Sequence, residues 1–192
     1  MTTQDWMTFI KGLQDLNGPA LLTALPQMSV PYLKAVCQEW LSGKLGTIDP
    51  TNVLCGADYA EQFLSLPAHA AVMYDAALEY MHRHPESIAN DTDCAAASLN
   101  LVDLLDKAGQ QGAATAAANR AARMPVKRPE QNVQLAVAVS KGGDMVTAYS
   151  LFKRAESAGL GSVAQAMGVS MSDLNQMGTF LARAAAGGRS FR

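Results

Sequence analysis

Aromatic residues are scarce in this chain. They make up 6% of 192 residues, against a hydrophobic share of 49%. A core with so few rings must be filled by Ala, Leu, Val and Met. That filling favours closely packed helices, because Ala loses no side-chain entropy in a helix. No run of 18 or more apolar residues occurs, so no membrane-spanning helix is expected. The opening MTTQDWMTFIKG lacks a basic start followed by an apolar block. No secretory signal is therefore read there, and the expected compartment is the cytoplasm, of a bacterium or of a cell it enters. Cysteine is equally sparse. Cys37, Cys55 and Cys94 are odd in number, far apart and form no CxxC pair. They read as buried thiols in a reducing compartment, with one disulfide and a spare thiol as the alternative. There is no phosphate loop, no GxSxG elbow, no HExxH and no Cys–His signature. Neither catalysis nor a cofactor is expected.

Strand signals are missing too, since no segment alternates apolar and polar residues. What is present is helical spacing. Trp6, Phe9, Ile10 and Leu13 form one stripe over residues 3–16, ended by Asn17-Gly18-Pro19. Leu33, Cys37, Trp40 and Leu41 form another. Residues 42–52 read as a loop, 58–66 as a short helix closed by Pro67, and 68–83 as a longer one. After a polar linker, Asp91 or Thr92 can cap a helix running to Ala108. An alanine-rich helix over 113–123, a proline-bounded connector, a helix over 130–141 and one over 144–158, capped by Asp144, follow. The fold class expected is all-α, a compact bundle of about nine or ten antiparallel helices stacked as α-hairpins. The chain reads as a single domain over 1–192. A sub-division into an acidic half, 1–90, and an alanine-rich, net basic half, 91–192, is possible.

Charge is unevenly spread. Residues 1–106 carry 4 basic and 13 acidic side chains, whereas residues 107–192 carry 11 basic and 4 acidic ones. Such a split points to an anionic partner for the basic half or to attraction between the halves. Arg120, Arg123, Lys127 and Arg128 cluster around the proline-bounded connector and form a candidate partner-binding patch.

Three patterns suggest narrower roles. Ala164, Gly168 and Leu174 stand where a helix-turn-helix needs a small residue, a turn residue and a buried apolar one. Val163, Met167, Val169 and Met177 would face inward around them. The second helix, 172–186, would be capped by Ser170 with Asp173. Its exposed Ser172, Asn175 and Gln176 are candidate DNA contacts, and Asn and Gln can read adenine edges. Within 160–186, over about 20 residues, the pattern resembles the helix-turn-helix of bacterial repressors, with the basic contacts missing. Ala148, Phe152, Ala155, Gly159 and Gly168, echoed by Leu101, Leu105, Ala108 and Gly112, resemble the small-residue frame of Sel1 and tetratricopeptide hairpins. The resemblance implies stacked hairpins and nothing narrower, because a solenoid needs at least three repeats. Finally, Asp75, Glu79 and His82 share a helical face, with His69, His84 and Glu86 nearby. Glu79-x-x-His82 resembles half of a ferritin-like di-iron motif, but no second Glu-x-x-His exists. No metal is expected. The leading expectation is a non-catalytic protein–protein interaction module, an adaptor, chaperone-like or immunity-type protein whose partner is another protein. DNA binding through 160–186 is the alternative.

Overall fold

The computed structural model describes residues 3–15, 17–88 and 93–187. Among these there are eleven α-helices and no strand, so the chain is all-α. None of these helices is long and apolar enough to cross a membrane. The chain divides into two compact units, Met1–Thr92 and Asp93–Arg192.

The first unit contains α1 (Thr3–Gln14), α2 (Gly18–Ala24), α3 (Val30–Leu41), α4 (Pro50–Gln62) and α5 (Pro67–Arg83). Prolines open α2, α3, α4 and α5 at the first or second helical position, where a missing N–H costs nothing. This corrects the sequence reading of α4. The helix begins eight residues before the expected Asp58, because Asp49 accepts a hydrogen bond from the Thr51 N–H at 2.8 Å and Pro50 presets the first turn. It also ends before Leu66, so Pro67 starts α5 rather than stopping α4. The inward stripe of α4, Val53, Leu54, Ala57 and Ala60, then meets Met73, Tyr74 and Leu78 of α5 in the unit's core. Phe9, Ile10 and Leu13 of α1 are buried as the spacing predicts. The Trp6 side chain and the Asp91 and Thr92 caps lie outside the described residues.

The second unit contains α6 (Cys94–Lys107), α7 (Gln111–Ala121), α8 (Pro129–Lys141), α9 (Met145–Ser157), α10 (Leu160–Met167) and α11 (Met171–Gly187). Asp93 caps α6, accepting from the Ala96 N–H at 2.9 Å. α6, α7 and α8 pack on one another, α8 packs along α9, and α11 lies on α9. The alanine run of α7 is only half used inward: Ala114, Ala117, Ala118 and Ala121 are buried. Contact there is tight, since a Cβ added at Gly142, the residue after α8, would overlap the Ala118 Cβ. In the two hairpin frames Ala148, Phe152 and Ala155 are buried on α9 and Leu101 on α6, whereas Gly159, Gly168, Ala108 and Gly112 are exposed.

The charge split is partly resolved inside this unit. Asp93 and Asp103, counted above within residues 1–106, pair with Arg128 and Lys141, counted within residues 107–192. Residues 93–192 carry 11 basic and 7 acidic side chains. A division at 106/107 would cut α6 away from α7 and α8.

Two outcomes follow from this packing. Gly142→Ala should destabilise the protein by about 1–3 kcal/mol, the range for an added methyl that forces backbone apart, and a lowered urea midpoint checks it. Asp144 caps α9 through the Thr147 N–H at 3.0 Å and the Thr147 hydroxyl, and these bonds hold its carboxyl below the ordinary aspartate value. Folding lowers this pKa, so the carboxylate's contribution is complete above the ordinary aspartate range and is lost as pH falls through the folded value. Asp144→Ala should therefore cost about 1 kcal/mol at neutral pH. The difference from the parent protein should shrink in urea titrations repeated below about pH 4.

Candidate nucleic-acid interface

The segment from Leu160 to Gly187 folds as two helices and a turn. Gly168 ends α10 at φ 66° and ψ 26°, a left-handed conformation that glycine enters without a Cβ clash. Ser170 then starts α11. Its Oγ accepts from the Asp173 N–H at 3.0 Å and donates to Asp173 Oδ2 at 2.7 Å. The cap and the turn thus form as the spacing predicts. Between the helices, Val163, Ala164 and Leu174 join Val133 of α8 and Ala155 of α9 in one buried cluster, with Leu160, Met167 and Met177 packed at its edge. Val169 departs from the expectation. It is 39% exposed, because the left-handed turn at Gly168 points the chain away from the cluster before α11 begins.

α11 is held by a narrow inner stripe, Leu174, Gly178, Leu181 and Ala185. Gly178 serves packing: a Cβ there would stand 2.5 Å from the Phe152 ring, so the glycine lets α11 cross α9 over that ring. The other side of α11 carries Ser172, Asn175, Gln176, Thr179, Phe180 and Arg183 at helical spacing, all exposed. Asp173, also exposed, stands three residues before Gln176 and seven before Phe180, at the edge of this stripe. Arg183 forms no ion pair among the described residues, and the Asn175 amide makes no hydrogen bond there. Continuing the spacing of Ser172, Asn175 and Gln176 by two more turns reaches Arg183.

The other candidates separate. Arg123, Lys127 and Arg128 are exposed and Arg120 is half-buried. Arg128 is engaged internally, its Nη2 donating to Asp93 Oδ2 at 2.8 Å while its Nε lies 3.4 Å from Glu130 Oε1. It ties the start of α6 to the start of α8. The buried Gln131 accepts from the Lys127 and Arg128 N–H groups at 2.9 and 3.1 Å and fixes the connector between them. In the first unit Glu79 is held by Arg83 at 2.7 Å, His69 contacts the Met28 carbonyl at 2.7 Å, and the His84 ring lies tilted against Tyr80 with centroids 4.7 Å apart. Among the described residues no three His, Cys, Asp or Glu side chains converge. All three cysteines are free. Burial, then the nearby Asp75, pushes the Cys37 thiol up to about 12, and burial, then Asp93, pushes Cys94 up to about 11. Cys55 is raised by burial, then by Asp58 and Asp49. None is poised as a thiolate nucleophile.

The chain matches no protein-family model, no curated protein and no solved structure.

The turn and cap generate a local expectation. Ser170→Ala should cost about 1 kcal/mol through the lost cap, and Gly168→Ala about 1–2 kcal/mol through left-handed strain, since open space surrounds Gly168. Amide hydrogen exchange should speed up in α10 and α11 while α6 keeps its protection.

Proposed function

We propose that the chain is a non-catalytic DNA-binding protein whose reading element is α11. One observation carries the reading: a capped two-helix unit with a left-handed turn buries Ala164 and Leu174 and turns outward a stripe of amides, hydroxyls and one arginine. In a helix-turn-helix the second helix enters the major groove and its outward side chains meet base edges. Ser172, Asn175 and Gln176 would be those side chains in this chain. Asp173 keeps its negative charge while accepting from Ser170 Oγ, and it opposes phosphate at the start of α11. The excess of basic side chains in residues 93–192 suits a polyanion.

A second reading keeps the same stripe and gives it a protein partner. Phe180 is 59% exposed, with Val169 and Met171 also exposed at the turn, and aromatic and arginine side chains are enriched at protein interfaces. The basic cluster is a weaker basis for such a partner, because Arg128 already serves the fold.

Salt separates the two readings. Fluorescence anisotropy with a labelled duplex should give an observed affinity that falls with salt, with a log–log slope of magnitude on the order of 2–4, about 0.9 per phosphate neutralised. Arg183→Ala should reduce that slope by about 1. Absence of duplex binding, or binding indifferent to salt, would remove the DNA reading and leave the protein interface.

A further inference from the structure

The outward stripe of α11 is chemically uneven along its length. Its first two turns hold Ser172, Asn175 and Gln176, with no cation. Its last described cation, Arg183, lies seven residues beyond Gln176, about 10 Å along the axis at 1.5 Å per residue. The side chains nearest the turn are the ones a reading helix sets against base edges, and its far end departs toward the backbone. Amides would therefore meet bases, and the guanidinium would meet phosphate.

From this placement we infer that α11 reads A·T pairs, with Asn175 and Gln176 recognising adenine and Phe180 resting against a thymine methyl. The inference depends on the DNA-binding reading above and adds the bases recognised. An amide side chain offers one donor and one acceptor. Adenine presents the matching pair in the major groove, its N6 donor and N7 acceptor. Guanine presents two acceptors, O6 and N7, so an amide facing it can pair with only one of them while its own carbonyl opposes the other. Guanine is instead matched by the two-donor fork of arginine, and the only arginine on the stripe is too far along to take that place.

The amides are also available. Among the described residues the Asn175 side chain has no partner, and that of Gln176 has a long contact to Ser172 Oγ at 3.4 Å. Either can turn to a base edge with little to give up. Thr179 donates to the Asn175 carbonyl at 2.9 Å, so its hydroxyl is directed to backbone and not to a base. Phe180 stands four residues after Gln176, one turn on, and is 59% exposed. Thymine alone among the bases offers a methyl group in the major groove, which is the apolar surface a ring in that position can cover.

The test uses the full chain and duplexes selected from a random library. Selection should enrich sites containing A·T steps. Replacing dA by 7-deaza-2′-deoxyadenosine removes only N7 and should weaken binding to the enriched duplex by about tenfold. Replacing dT by dU removes only the methyl, and Phe180→Ala should abolish the difference between those two duplexes. Asn175→Ala combined with Gln176→Ala should weaken the enriched duplex by about tenfold or more, and so lower the ratio of its affinity to that for a G·C duplex. All these side chains are exposed, so circular dichroism should confirm an unchanged fold. Enrichment of G·C sites, or equal affinity for all duplexes with a normal salt slope, would overturn the inference and leave DNA binding standing. No binding to any duplex would overturn both.

Discussion

Close backbone approach is the constraint on which this molecule depends. With few rings to fill space, its helices must be brought together until small side chains touch, and several contacts are set by the absence of a single methyl. Gly142 lies against Ala118, Gly178 lies over Phe152, and Ala136, Ala148 and Ala155 are fully buried. Interiors are packed as densely as organic crystals, so such contacts tolerate neither added nor removed volume well. The same closeness gives α11 its role. A helix seated by only Leu174, Leu181 and Ala185 around a glycine notch exposes most of its circumference, and that exposed side is where the candidate site lies.

The helical class was legible because every apolar stripe recurs at three or four residues, and the expected hairpins of the second unit follow from the Gly142-Gly143 break and Asp144. The boundaries that failed did so for a local reason. Pro50 and Pro67 read in the sequence as loop and stop, whereas each sits at the first position of a helix. Proline punctuates a chain without saying on which side of it the helix lies, and Asp49 was the residue that could have decided it. In the candidate site, Ala164, Gly168, Ser170 and Leu174 behave as their spacing implies. Val169 does not, since a turn's exit direction depends on backbone angles that apolar periodicity does not report. Arg183 was legible on the same spacing as Asn175 and Gln176, two turns further along.

Charge stays unevenly spread when counted by unit: residues 1–92 carry 4 basic and 10 acidic side chains, and residues 93–192 carry 11 basic and 7 acidic. In the structure, Asp93 and Asp103 belong with the cations they face, and Arg128 works as a cross-link between two helix starts. Exposed pairs of this kind contribute little individually, typically less than about 1 kcal/mol. Their effect here is positional: Asp93 both caps α6 and receives Arg128, so one carboxylate sets where two helices begin.

The fit of Phe152 over Gly178 has a consequence for how this chain can diverge. The ring and the missing side chain are two halves of one volume, carried 26 residues apart. Neither can drift alone without a cavity or a collision, but they can be exchanged together, a smaller residue at 152 admitting alanine at 178. Descendants of this sequence should therefore vary at these positions as a pair, and a lineage that lost the glycine would carry the record of it in the helix beneath.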